Sequence, residues 1–319
     1  MKLSVFDWQP LAPLQALRFD WSARHGIELA ALRLDLIDPL ISGNKWFKLL
    51  PHLKQAAASR AQGILSLGGT HSNHLHALAA AGQRFSFATV GLLRGEVHGS
   101  PTVCDLQSFG MSLHSLSYGE YRARHQADFQ AHWQARYPQL HFVPEGGGGS
   151  LGASGFAPVT AMLQAQLAQL GWSDYDSCWL AVGTGTSLAG LVMAENGRHP
   201  VHGALAVPRK FAVDKHISRL LEQAGQADAG YCLWEASRGG YARLDQPLAH
   251  FIDAAEQSGG MPLEACYTAK ALLALRERVE AGYFARGSRL VFIHTGGLQG
   301  RRAQEASLQA LTAGLNVLN

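Results

Sequence analysis

Three short segments of this 319-residue chain gather groups that can do chemistry. In Ser42-Gly43-Asn44-Lys45 a lysine follows a glycine turn and an amide, and Trp46, Phe47, Leu49 and Leu50 come directly after it. An amine packed among apolar side chains loses the hydration that favours its charged form. Its pKa falls, and it becomes able to attack a carbonyl carbon. In Gly68-Gly69-Thr70-His71-Ser72-Asn73-His74 an apolar run ends in a glycine turn that carries a hydroxyl and an amide, a pair suited to a carboxylate and a ring oxygen. In Gly183-Thr184-Gly185-Thr186-Ser187 a third turn links an apolar run to a helix-like segment. Its glycines let backbone N–H groups turn inward, and a helix start adds partial positive charge, so an anion fits there.

Each segment has a plainer reading. The third is not a Walker A loop, since no Gly-Lys-Ser/Thr follows, and position 188 is Leu where a dinucleotide fingerprint needs glycine. By itself it also reads as an ordinary strand-to-helix turn. Lys48, nearly one helical turn beyond Lys45, is expected on an exposed face. His71, His74 and His76 suggest a metal site, but their spacing does not put all three on one helical face, and no carboxylate adjoins them in sequence. Taken together, a desolvated lysine, a polar turn and a phosphate cup are what is needed to hold pyridoxal phosphate covalently.

The elements that must position these groups alternate. Apolar runs at 63–67, 87–93, 113–116, 141–143, 178–182, 204–207 and 290–294 read as strands. The Ala-rich stretch 74–82 and segments 161–170, 216–224, 269–281 and 303–313 carry helical spacing. Strands alternating with helices predict mostly parallel sheets with helices on both faces. The pattern runs in two groups, separated by residues 145–155 with six glycines among eleven residues. That run is either a flexible linker or a crossing in which backbone closes on a ligand.

Composition narrows the function. With 47% hydrophobic and 16% charged residues the chain can bury a large interior. A net charge of +3 with no basic block argues against nucleic acid as a partner. Cys104, Cys178, Cys232 and Cys266 form no Cys-x-x-Cys pair and read as reduced thiols. Asp7 and Pro10 break any apolar run after Lys2, and no stretch reaches the length of a membrane span. The expectation is a cytoplasmic protein that does not bind membrane or metal.

The motifs resemble those of a known family, the fold type II pyridoxal-phosphate enzymes of the 1-aminocyclopropane-1-carboxylate (ACC) deaminase and D-cysteine desulfhydrase group. The resemblance runs from Leu34-Asp35 to Thr295-Gly296-Gly297, with the blocks in the family's order. It implies that Lys45 carries the cofactor as an imine. It implies that Asn73 bonds the cofactor's phenolic oxygen, and that Ser72, Asn73 and His74 face the substrate, with Ser72 as carboxylate binder or nucleophile. Gly183, Thr184, Gly185, Thr186 and Ser187 match the phosphate loop. Residues 145–155 resemble the family's glycine-rich crossing between lobes. Tyr267-Thr268-x-Lys270 is similar to the segment whose Tyr lies over the reacting carbon, and His294-Thr295-Gly296-Gly297 to the closing motif beside the pyridine nitrogen.

The implied fold is two-lobed and similar to the tryptophan synthase β-subunit. Residues 1–47 and 151–319 would form the large cofactor-binding lobe and 48–150 the small α/β lobe. ACC deaminases typically carry Glu and Leu where Thr268 and Thr295 stand here. A hydroxyl beside the ring nitrogen implies a weaker electron sink, which suits β-elimination from D-cysteine to pyruvate, sulfide and ammonia better than opening a cyclopropane. The alternatives are ACC deaminase and a catalytically weak cofactor- or amino-acid-binding protein. Phe47, Leu50, Glu264-Ala265 and Ala269 depart from the family pattern and are expected to ring the substrate pocket. The resemblance also implies a small amino-acid substrate and a homodimer.

Overall fold

The computed structural model describes residues 7–97 and 99–314; Lys2 and the outermost residues of the expected large lobe lie outside them. Among the described residues ten strands form: β1 (Leu14–Leu17), β2 (Glu28–Arg33), β3 (Gly63–Gly69), β4 (Ala88–Arg94), β5 (Ser112–Leu116), β6 (Leu140–Phe142), β7 (Ser177–Val182), β8 (Val201–Leu205), β9 (Tyr231–Glu235) and β10 (Arg289–His294). They make a six-stranded sheet in the order β1-β2-β10-β7-β8-β9 and a four-stranded sheet in the order β5-β4-β3-β6. All neighbours are parallel except β1 and β2. β7, buried at every position, and β10, buried at all but its first, show why these runs read as continuous apolar segments: helices cover both faces.

Each of the seven expected strands is present, and β1, β2 and β9 add to them. The Ala/Leu-rich β2 looks helical by propensity, but pairing with β10 makes it a strand. The segment expected as one helix over 161–170 divides into a helix, Ala157–Gln164, and a 3₁₀ turn, Leu167–Leu170.

The lysine helix, Asn44–Ala58, stands between the sheets. Its Trp46, Leu49 and Leu53 belong to one buried cluster with Leu32 and Leu180 of the large sheet and Ile64 of the small one. Full burial of such side chains contributes about 1.5–3 kcal/mol each. Phe47 and Leu50, expected at the substrate pocket, are part of this packing instead. Phe47 is buried with its ring 6.4 Å from Phe156, and Leu50 packs against the same cluster.

The glycine-rich crossing is packed rather than loose. Gly149–Ser154 is a helical turn between the lysine helix and the helix Thr186–Glu195. Pro51 has no N–H to give the Phe47 carbonyl one turn earlier. Gly155 closes on that carbonyl so tightly that a Cβ would collide with it.

Candidate active site

Three segments converge where the lysine helix begins. Gly43 holds φ +77°, and a Cβ there would collide with the Thr295 carbonyl. Only glycine takes that backbone shape at low cost, which explains the turn before the lysine. The Asn44 N–H donates to the Thr295 carbonyl at 3.1 Å, and its side-chain Nδ2 donates to Ser187 Oγ at 2.8 Å. One residue thus ties the closing motif and the third turn to the base of Lys45.

Burial lowers the Lys45 amine to about 8, against the opposing pull of Glu145 and Glu264. Lys48 is not exposed as expected: it is 2% accessible and packs against Gly146 and Gly147. Burial first, then the charge of Lys45, holds its amine well below the usual lysine range. It enters no ion pair among the described residues. Glu145, which acts on both lysines, is bonded to Tyr121 and to Arg124 at 2.7 Å.

The second turn caps the helix Asn73–Phe85, with Ser72 Oγ accepting the Leu75 N–H at 3.2 Å. Asn73 Oδ1 accepts from Gln299 Nε2 at 2.7 Å and lies against Gly300, while its Nδ2 lies against Gly297 of the closing motif. His74 is fully buried. Ser66 donates to the Val143 carbonyl, so it accepts the His74 Nε2–H at 2.8 Å, which leaves Nδ1 unpartnered beside Gly147. Burial and the two lysines keep this imidazole neutral. The three histidines diverge: His71 is exposed, His74 meets Ser66, and His76 Nε2 lies 3.1 Å from Asp105, a carboxylate 29 residues away that sequence proximity did not show.

In the third turn Gly185 precedes Thr186, with Thr186 and Ser187 buried and Thr184 exposed. The first N–H groups of a helix have no partner within it, so this start presents donors. Tyr267 sits against Gly183, its ring edge about 3.0 Å from where a Cβ would stand. Burial, then the neighbouring Tyr241, pushes its phenol well above the usual range, so it stays protonated. Lys270 Nζ donates to the Ser237 and Gly240 carbonyls at 2.9 and 2.8 Å, pinning the loop that carries Tyr241.

Thr268 does not turn toward the cleft. It is fully buried, and its Oγ1 accepts the Glu264 N–H at 3.0 Å. In return the Glu264 carboxylate accepts the N–H groups of Cys266, Tyr267 and Thr268 at 2.7–2.8 Å, capping the helix Thr268–Glu280. Glu264 was visible in the sequence only as a departure from a motif. The closing motif rests on another carboxylate that sequence reading gave no role. Asp35 forms a two-pronged pair with Arg33 (2.9 and 2.7 Å) and meets His294 Nδ1 at 3.1 Å. Burial would raise the Asp35 pKa, but His294 and Arg33 outweigh it and bring it down to about 2.

No protein-family model matches the chain. A Thermotoga maritima protein provisionally named as a 1-aminocyclopropane-1-carboxylate deaminase is 30% identical over 314 residues, covering 93% of this chain and 96% of that one. The chain belongs to the ACC deaminase and D-cysteine desulfhydrase family. Within this family a Klebsiella pneumoniae D-cysteine desulfhydrase is 24% identical, covering 85% of this chain and 87% of its own. The crystal structure of an ACC deaminase homologue superposes with a TM-score of 0.81 at 23% identity, over 98% of this chain and all of that one.

The fold is that of fold type II pyridoxal-phosphate enzymes, and pyridoxal phosphate is the expected cofactor of this family member. The residues present fit that group. An amine near pKa 8 is available for an imine, a glycine-rich helix start presents donors, and the nearby Lys48 is a buried amine whose charged form a bound anion would favour. The protein is a pyridoxal-phosphate-dependent deaminase or lyase. No helix among the described residues is long and apolar enough to cross a membrane.

Proposed function

We propose that the protein catalyses β-elimination from a small amino acid, with D-cysteine giving pyruvate, sulfide and ammonia. The observation that carries the proposal is the Lys45 amine, lowered to about 8, in a site that also holds the proton-bearing Tyr267 phenol. Lys45 would hold pyridoxal phosphate through its amine, the N–H groups and hydroxyls of Gly183, Thr184, Gly185, Thr186 and Ser187 its phosphate, Asn73 its phenolic oxygen and Thr295 its ring nitrogen. Lys48 would add charge toward the phosphate. The cofactor supplies an electron sink that makes the Cα proton of a bound amino acid acidic.

The chain's own groups do the rest. Ser72 and the N–H groups at the start of the Asn73–Phe85 helix bind the carboxylate. The Lys45 amine takes the Cα proton, since its pKa lies close to working pH. Tyr267, held protonated, donates a hydrogen bond to the leaving sulfur, which departs with both electrons as hydrosulfide. His74 acts from behind, with its neutral Nδ1 lone pair beside Gly147. Because Thr268 is committed to Glu264, Thr295 alone offers a hydroxyl at the ring nitrogen. That favours elimination over ring opening, the ACC deaminase alternative. Phe47 is buried and Leu50 packs against the core, which counts against the weak-binder alternative.

The reading includes a homodimer in the cytoplasm and a lobe division at 47/48 and 150/151. The test is borohydride trapping of the purified protein, with sulfide and pyruvate measured on adding D-cysteine. Label fixed at Lys45 together with stoichiometric sulfide is the expected result. 2-Oxobutanoate from ACC with no sulfide from D-cysteine would replace this reading with its alternative.

A further inference from the structure

We propose that Arg94 recognises the β-substituent of the substrate, and that the preferred substrates are amino acids whose β-substituent is anionic and leaves on elimination. This rests on the β-elimination reading of the same site and names its substrate class.

Arg94 ends β4, directly paired with Gly69 of β3. Ligands of parallel sheets bind outside the carboxyl ends of the strands, and both residues stand there. Along β4, Val90, Leu92 and Arg94 share a face, and the first two are buried while the last is exposed. The guanidinium lies across Gly69, with Nη2 3.4 Å from where a Cβ would stand, and its carbon is 5.5 Å from the Tyr121 ring centre. Gly69 in turn accepts the Ser72 N–H at 3.0 Å. Arg94 and the carboxylate-binding helix start therefore flank one tight turn.

Nearby arginines are neutralised: Arg124 by Glu145, Arg302 by Asp105 and Arg84 by Asp38. Arg94 has no carboxylate partner among the described residues. Its charge also acts on the Tyr241 phenol, which neighbours Tyr267 with ring centres 5.8 Å apart. It thus stands at the cleft end of the small sheet, where β3 and β4 finish.

The chemistry suits this place. In the elimination the Cα proton passes to Lys45, and the bond from Cβ to its substituent breaks with both electrons leaving on the substituent. A guanidinium fork binds phosphate or sulfonate oxygens in pairs and stabilises that departing charge. D-cysteine, whose thiol ionises at about 8.5, is the smallest member of the class.

The test measures pyruvate release by the holoenzyme from each enantiomer of O-phosphoserine and of β-chloroalanine, for wild type, Arg94→Ala and Arg94→Lys. The wild type should favour O-phosphoserine in kcat/KM. Arg94→Ala should cut that preference about tenfold to a hundredfold, mainly through KM, the loss expected for a charge-assisted hydrogen bond. Arg94→Lys should restore part of it. A wild type that prefers β-chloroalanine, or a preference that Arg94→Ala leaves unchanged, overturns the assignment of Arg94 alone. Pyruvate from neither compound overturns the elimination reading with it.

Discussion

At the scale of the residue, the two lysines divide the work by their surroundings. Lys45 lies within reach of Glu145 and Glu264, which limit its loss of basicity, whereas Lys48 is depressed further by burial and by Lys45 itself. Covalent uptake of pyridoxal phosphate by the apoprotein needs the neutral amine. Its rate should therefore rise with pH and level off above about 8, as followed by the change in visible absorbance. On the proposed reading Lys45 is both attachment point and base, so Lys45→Ala should abolish borohydride-fixed label and lower turnover by at least about a thousandfold. Lys48→Gln keeps the shape and removes the charge. It should weaken cofactor binding at least about tenfold in a fluorescence titration, with Lys45 still labelled.

At the scale of the element, two junctions hold the site. The first is the buried set Arg33, Asp35 and His294 beneath the closing motif. Asp35 has a folded pKa of about 2 against the 3.8 of an unperturbed aspartate. Its contribution, about 2 kcal/mol, is complete above pH 4 and lost as pH falls toward 2. Asp35→Asn leaves Arg33 buried without its anion. It should cost roughly 3–5 kcal/mol in denaturant unfolding and flatten that acid limb. The second junction is the contact of Gly43 with the Thr295 carbonyl. Gly43→Ala would meet both a left-handed backbone and a collision, so the helix start should shift and Lys45 labelling should slow even where the fold survives.

At the scale of the whole molecule, one buried cluster spans both sheets through the lysine helix, and buried imidazoles sit at its edge. His52 donates to the Gly148 carbonyl and has a pKa brought down to about 4 by burial. His74 and His141 are lowered as well. An imidazole whose folded pKa is depressed stabilises fully above its unfolded pKa and loses that contribution as pH drops. Stability should thus decline from pH 6.5 toward 4, with His52 alone contributing about 3 kcal/mol. His52→Gln, which keeps a donor and does not titrate, should reduce the pH dependence of the melting temperature over that interval. An unchanged slope would show that His52 does not take up a proton there.

The sequence by itself determined the lysine, its glycine turn, the glycine-rich turn at 183–187 and the alternation of strands and helices, because these depend on local backbone freedom and short-range periodicity. The seven continuous apolar strands were legible for that reason, whereas the helix-like β2 was not, since pairing with β10 overrode its local character. Tertiary structure alone decided which polar groups were spoken for. Thr268 turned to Glu264, Lys48 went inside, Phe47 joined the core, and Asp35 came under His294. Burial and hydrogen-bond partners arise from contacts between residues distant in the chain, and those contacts fix both the charge a side chain carries and the direction it faces.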